Sequence, residues 1–276
     1  MNERTPQPSH TPERRRAPRT VTPLQTPSVD TGGVLRFPLP QGELTAHVRA
    51  ALDEDGAFND LTTIATVVSD RRARATLVAK GNGVVSGIPL ALEAFRLLDP
   101  KVAIRVDVED GQRVTPGTPV LFLSGHARGL LSAERVALNY LQRLSGISSL
   151  TAQFVDAVKG TKAKILDTRK TTPGWRTLDK YAVRAGGGVN HRMDLASGVL
   201  IKDNHLSAVE NDIRAAVSRA RAIAPKDVRV EVECENLGMV AQALAAGADI
   251  IMLDNMSPAQ MTEAVNLVSG KAIVEA

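Results

Sequence analysis

Past residue 162 the chain settles into a repeat of short apolar run, polar loop, and a stretch whose apolar residues recur every three or four positions. The runs fall at 163–166, 198–201, 228–232, 249–253 and 272–274, and amphipathic helices are predicted between them at 208–223, 237–246 and 259–268. Strands covered on both faces read as continuous Val/Ile/Leu runs, and helices supply the crossovers between parallel neighbours. The pattern therefore predicts a parallel sheet. A closed eight-stranded barrel takes roughly 200 residues or more. The stretch after residue 158 is shorter, so an open, incomplete parallel (β/α) barrel is expected over 146–276.

The earlier half reads differently. A helix is predicted over 44–52, ending near Gly56, followed by a turn and cap at Asn59-Asp60-Leu61-Thr62-Thr63. Strands are predicted at 74–80 and 102–108, with a helix at 89–98 between them. The Gly/Pro spacing of 109–124 resembles the hammerhead module of lipoyl and biotinyl carriers. Those carriers present a lysine at the hairpin tip, and none lies between Lys101 and Lys159, so the segment is taken as scaffold. Ser132 is expected to cap a helix over 133–144, with a second helical stretch after Gly146 reaching 158. Residues 39–145 thus form an expected sandwich-like α/β domain, giving an α/β fold class for the whole chain. Residues 1–38, rich in Pro, Thr and Arg, are expected to be a disordered extension.

Composition removes several functions. The formal charge is +4, but five arginines against two acids in residues 1–20 account for +3 of it. The body is nearly neutral, so a nucleic-acid partner is not expected. No apolar run approaches a membrane span and no secretory signal is recognisable, which makes the cytoplasm the default. One cysteine, Cys234, excludes an intramolecular disulfide, and the four histidines other than His191 show no metal-ligand spacing. The turn Gly81-Asn82-Gly83-Val84-Val85-Ser86-Gly87 lies between a strand and a helix, but its glycine spacing does not match the dinucleotide fingerprint.

The chemistry lies at the strand ends. The first four runs lead into Asp167, Arg169 and Lys170; into Lys202 and Asp203; through Glu231 and Glu233; and into Asp254 and Asn255. Gly186-Gly187-Gly188-Val189-Asn190-His191-Arg192 sits between the first two. In a parallel barrel the C-terminal strand ends open onto one face. Arg169, Lys170, Arg192 and Lys202, with His191, would then meet there, opposite Glu233 and Asp254. Converging cations call for a carboxylate or phosphate ligand. The acids suit sugar hydroxyls, Mg²⁺, or positive charge developing at an anomeric carbon. One charged residue at a strand end is ordinarily a solvated cap; several in register are harder to ascribe to chance.

Six stretches, in this order, resemble the signatures of the quinolinate phosphoribosyltransferases, also called carboxylating nicotinate-nucleotide pyrophosphorylases. They are Glu134-Arg135-Val136-Ala137-Leu138-Asn139, Leu144-Ser145-Gly146-Ile147, Asp167-Thr168-Arg169-Lys170-Thr171-Thr172-Pro173-Gly174, the 186–192 segment, Ile201-Lys202-Asp203-Asn204-His205 and Leu253-Asp254-Asn255-Met256. The resemblance implies an N-terminal α/β domain, an open barrel and a homodimer or higher oligomer. It implies transfer of a phosphoribosyl group from phosphoribosyl pyrophosphate (PRPP) to quinolinate with decarboxylation, dependent on Mg²⁺. Arg135, Thr168, Arg169, His191, Arg192 and Lys202 would bind substrate, Arg135 reaching into the partner's site. Lys170, Glu233 and Asp254 would contact the donor as catalytic groups, with Mg²⁺ held through Glu233 and Asp254 directly or indirectly.

The resemblance also implies a Ser-Gly-Gly loop, a helix and a further strand beyond 272–274, to grip the donor's 5′-phosphate. The sequence ends at Ala276, so it is read as stopping short of those loops. Two other readings stay open at this stage: a related protein acting on another anionic ring, such as the molybdenum-locus paralogue, and a folded remnant that cannot hold the donor.

Overall fold

The computed structural model describes residues 35–276. Most of the expected 1–38 extension lies outside that range. Its last residues are packed: Phe37 meets the Tyr181 ring edge-on at 5.1 Å, and the Arg36 carbonyl accepts from Arg184 at 2.8 Å.

The N-terminal half is built on α1 (Gln41–Glu54), α2 (Leu61–Thr66), β1 (Arg72–Val78), β2 (Gly83–Val84), α3 (Ile88–Leu98), β3 (Ala103–Val106), β4 (Arg113–Val114) and β5 (Pro119–His126). Asp60 caps α2 as the turn signal required, its carboxylate accepting from the Thr63 amide at 3.0 Å. β5 is the centre of an antiparallel sheet ordered β1-β5-β3, and β2 pairs with β4. Strand alternation sends Ala73, Ala75 and Leu77 of β1 to the core and Arg72, Arg74 and Thr76 to water. The glycine-rich turn before α3 serves packing: Gly87 has φ 104°, and a Cβ there would meet the Tyr140 carbonyl at 3.3 Å.

A single helix, α4 (Ala127–Ala157, 31 residues), runs through the expected break at Gly146 and across the expected 145/146 division. Ser132 lies inside it and does not cap it; its hydroxyl donates to Asp60 at 3.0 Å. An exposed glycine costs a helix only about 1 kcal/mol, which burial of Leu130, Val136, Leu144 and their neighbours outweighs.

The C-terminal half holds α5 (Arg176–Ala185), β6 (Val199–Ile201), α6 (Asp203–Ser207), α7 (Ile213–Ile223), β7 (Val230–Cys234), α8 (Leu237–Ala245), β8 (Ile250–Leu253), α9 (Pro258–Val268) and β9 (Ile273–Glu275). The four strands pair in parallel, β6-β7-β8-β9, and the sheet is not closed. Three expectations are corrected. The 163–166 run joins no sheet; it forms one isolated parallel bridge, Leu166 with Val189. The helix expected over 208–223 begins only at Ile213, because Glu210 and Asn211 take left-handed φ of 56° and 60° and Asp212 caps α7, accepting from Ala215 at 2.9 Å. α5 was not expected at all, since Arg176, Asp179, Lys180 and Arg184 make its sequence read as polar loop.

Register sets the chemistry of the sheet. Val230, Val232, Cys234, Ile251 and Leu253 are all buried in the core that α7, α8 and α9 close. The intervening residues face the other way, and pairing aligns Leu200 with Glu231, Glu231 with Ile250, Glu233 with Met252, and Met252 with Glu275. A one-residue slip would put two glutamates into the apolar core, so this register is strongly specified.

Candidate active site

The charged face of the sheet carries Glu231, Glu233 and Glu275 together, with Lys202 just past the end of β6 and Asp254 just past the end of β8. Lys202 donates directly to Glu233, whose side chain is mostly buried. The sequence put these two on opposing sides of the site; the structure pairs them. The Asp254 amide donates to the Cys234 carbonyl at 3.0 Å, and its carboxylate accepts from Asn255 at 2.8 Å.

Two loops supply the rest. Thr168, Arg169 and Lys170 come after the Leu166 bridge; Thr168 and Lys170 are exposed, and the Thr168 hydroxyl accepts from the Lys170 amide at 3.0 Å. Arg169 is half-buried, and its Nε is fully covered without a hydrogen-bond partner. His191 and Arg192 come after Val189. Arg192 donates to the Gly198 carbonyl at 3.0 Å. Burial pushes its pKa below the usual guanidinium value, and the neighbouring Arg169 charge acts in the same direction. Arg169 and Arg192 thus act on one another as like charges.

His191 Nε2 lies 3.0 Å from Glu231 Oε2 and 3.5 Å from Glu275 Oε2. The Glu231 hydrogen bond holds the imidazole pKa above its ordinary value against the opposing effect of burial. Glu275 is also raised, by burial first and then by the Glu231 charge. Glu231 is 2% exposed, and its second oxygen has no partner. His191, Glu231 and Glu275 offer three donor atoms within 4.8 Å of one another, a grouping that no sequence spacing revealed. Arg135 sits apart in the bonding pattern: it is exposed on α4, and among the described residues no hydrogen bond or ion pair ties it to the others.

Beneath the two loops lies a network that the sequence did not reveal. Lys180 of α5, 1% exposed, donates to the Asp167 carboxylate and to the His191 carbonyl, the latter at 3.1 Å. Asp167 accepts in turn from the His191 amide at 2.8 Å and from the Asn190 side chain. Asp167 and Asn190 stood in conspicuous motifs; Lys180 gave no signal, because a buried lysine is legible only once its partner is placed. A separate cavity of about 800 Å³, lined by Arg229, Asp249 and Lys271 among others, opens at the opposite, N-terminal ends of β7–β9.

No helix among the described residues is long and apolar enough to cross a membrane. Residues 60–145 match the quinolinate phosphoribosyl transferase N-terminal domain, and residues 147–276 match the C-terminal domain of the same family. The chain is 46% identical over 197 residues to a probable nicotinate-nucleotide pyrophosphorylase [carboxylating] of Synechocystis, covering 71% of this chain and 66% of that one. It is 45% identical over 223 residues to the nicotinate-nucleotide pyrophosphorylase [carboxylating] of Mycobacterium leprae, covering 79% and 77%. The aligned parts thus span about two thirds to three quarters of these relatives' own lengths. The crystal structure of NadC from Streptococcus pyogenes superposes with a TM-score of 0.82 at 43% identity, covering 87% of this chain and 84% of that one. With the two domain matches adjoining inside α4 and the strand-end charges presented on one face of an open parallel sheet, the chain belongs to the quinolinate phosphoribosyl transferase family.

Proposed function

We propose that the chain transfers the phosphoribosyl group of PRPP to quinolinate and decarboxylates the adduct, giving nicotinate mononucleotide, pyrophosphate and CO₂ in pyridine-nucleotide (NAD) biosynthesis. One observation carries the reading: Arg169 has a buried Nε with no hydrogen-bond partner, and its charge acts on a partly desolvated Arg192. Neighbouring guanidinium groups taken out of water call for an anion, and bidentate carboxylate recognition is what arginine does best. A ring with two carboxylates suits a pair of arginines flanked by His191 and Lys202. A protein acting on a singly charged ring, or a remnant with no ligand, leaves that arrangement without a reason.

In this reading Arg169, His191, Arg192 and Lys202 hold the dicarboxylate so that its ring nitrogen faces the anomeric carbon. The bond from that carbon to pyrophosphate breaks, its electron pair leaving with pyrophosphate, and the nitrogen forms the new bond. Glu233 and Asp254 stabilise the positive charge that develops on the sugar, and Thr168 and Lys170 bind the donor side. The alkylated ring is cationic, so it can keep the electron pair left when the adjacent carboxylate departs as CO₂; a proton then takes that position. Glu233 and Asp254 offer carboxylate oxygens, the donor type Mg²⁺ takes, and would hold such an ion. When bound, Mg²⁺ neutralises charge on the leaving pyrophosphate. We further place the enzyme in the cytoplasm as a homodimer or higher oligomer, with Arg135 contributed to the partner's site; its exposure on α4 supports that.

Arg169→Ala tests the reading. Removing one side of a desolvated charge contact costs roughly 2–5 kcal/mol, so kcat/KM for quinolinate should fall about 30-fold or more. The thermal midpoint should move by no more than about 2–4 °C. Near-normal turnover in the variant would take Arg169 out of the site. Nicotinate, with one carboxylate, should be a far poorer acceptor than quinolinate; equal use of the two would sink the dicarboxylate assignment.

A further inference from the structure

Building on the dicarboxylate reading, we propose that Lys180 is a positioning residue for the anion site, joining the loop that carries Arg169 to the loop that carries His191 and Arg192. Those loops have little ladder of their own. A single bridge, Leu166 with Val189, connects them, through Val189 N to Ile165 O at 2.8 Å and Asp167 N to Val189 O at 3.1 Å. Past that bridge the two loops are joined by polar contacts. Lys180 reaches the Asp167 side chain on one loop and the His191 carbonyl on the other, while Asp167 accepts from the His191 amide and from Asn190. The Asn190 side chain also donates to the Lys180 carbonyl at 2.8 Å, closing the circuit back onto α5.

Stability alone gives no reason for an ion pair there. A lysine 1% exposed and its carboxylate are costly to desolvate, and apolar residues of similar volume commonly serve a core as well or better. An apolar pair cannot bond main-chain and side-chain groups of two loops at once. That capacity suits two loops that carry the like charges of Arg169 and Arg192 and share a single bridge. The tether holds the two cations at a fixed spacing before any anion arrives, so binding need not first order the site.

The test uses Lys180→Met and, because that variant strands a buried carboxylate, also the double variant Asp167→Asn/Lys180→Met. The full chain is titrated calorimetrically with quinolinate, and ligand-free hydrogen exchange is measured at 167–170 and 189–192. Positioning predicts a quinolinate Kd raised about tenfold or more with unchanged binding stoichiometry, and faster exchange in those two segments while β6–β9 stay protected. A purely structural role predicts the reverse: fewer competent sites at wild-type Kd. Wild-type Kd and exchange in either folded variant overturn the proposal, and failure of both variants to fold makes Lys180 a stability element and overturns it too. If the wild-type chain does not bind quinolinate, the functional reading fails, and the exchange comparison alone then decides the role of Lys180.

Discussion

At the scale of single residues, His191 is where pH should act. Its imidazole is raised above the ordinary value, mainly by Glu231 at 3.0 Å, with Glu275 adding to that and Lys180 opposing. A group raised on folding contributes stability that is fully present below its unfolded pKa, near 6.5, and is lost as pH rises through the higher folded value. If His191 binds the dicarboxylate as proposed, quinolinate affinity should weaken over the same interval, as the imidazolium loses its proton. Glu231→Gln should return the His191 titration toward its ordinary value and move the loss of affinity to lower pH; NMR titration of the His191 ring reads this directly. An unshifted His191 in the wild-type chain would refute it. Alternation of Glu231 and Glu233 with valines made the charged face legible in the sequence. Which charge meets which was not: Lys202 with Glu233, His191 with Glu231 and Glu275, and Lys180 with Asp167 are contacts across 31, 40, 84 and 13 positions that only the parallel register and the loop path determine.

Among the elements, the contrast between two glycines separates local signal from tertiary packing. Gly146 reads as a helix break, yet it lies exposed in mid-α4, where a Cβ would meet nothing within 4 Å. Gly146→Ala should therefore stabilise the fold by about 0.5–1 kcal/mol, seen as a higher urea midpoint at constant slope. Gly186 ends α5 against α4, where a Cβ would stand 2.4 Å from the Ser148 carbonyl and 2.7 Å from Thr151 Cβ. Gly186→Ala should destabilise by about 1–3 kcal/mol as the two helices are forced apart, and an unchanged midpoint would show that they can separate freely. The βα repeat of 198–275 was legible because each strand buries one face and each helix one stripe. α5 was hidden for the opposite reason. Its buried face carries Asp179, one oxygen of which accepts from the Thr172 amide, and Lys180, which donates to Asp167, so its amphipathicity cannot be read from apolar residues alone.

For the whole molecule, the surface around Arg135 bears on assembly. Leu131 lies one helical turn before it on α4 and is 50% exposed, and Leu61, Ile64 and Val68, in and just after α2, are exposed as well. Arg128 fixes that segment against α4, donating to the Val67 carbonyl at 2.8 Å and the Ile64 carbonyl at 3.1 Å. Several exposed apolar side chains beside an exposed arginine mark an interaction surface more readily than a solvated one. If Arg135 completes the partner's site across a two-fold axis, each active site draws on two chains. Mixing Arg135→Ala with Arg169→Ala, each expected to be strongly impaired alone, should then restore activity. Random exchange makes half the dimers mixed, and each mixed dimer has one site with both defects and one with neither. Recovered activity should approach roughly a quarter of the wild-type value for a two-fold assembly, and it should not appear when exchange between the two preparations is prevented. If the exchanged mixture stays inactive, Arg135 acts within its own chain or not at all, and the shared-site dimer is excluded.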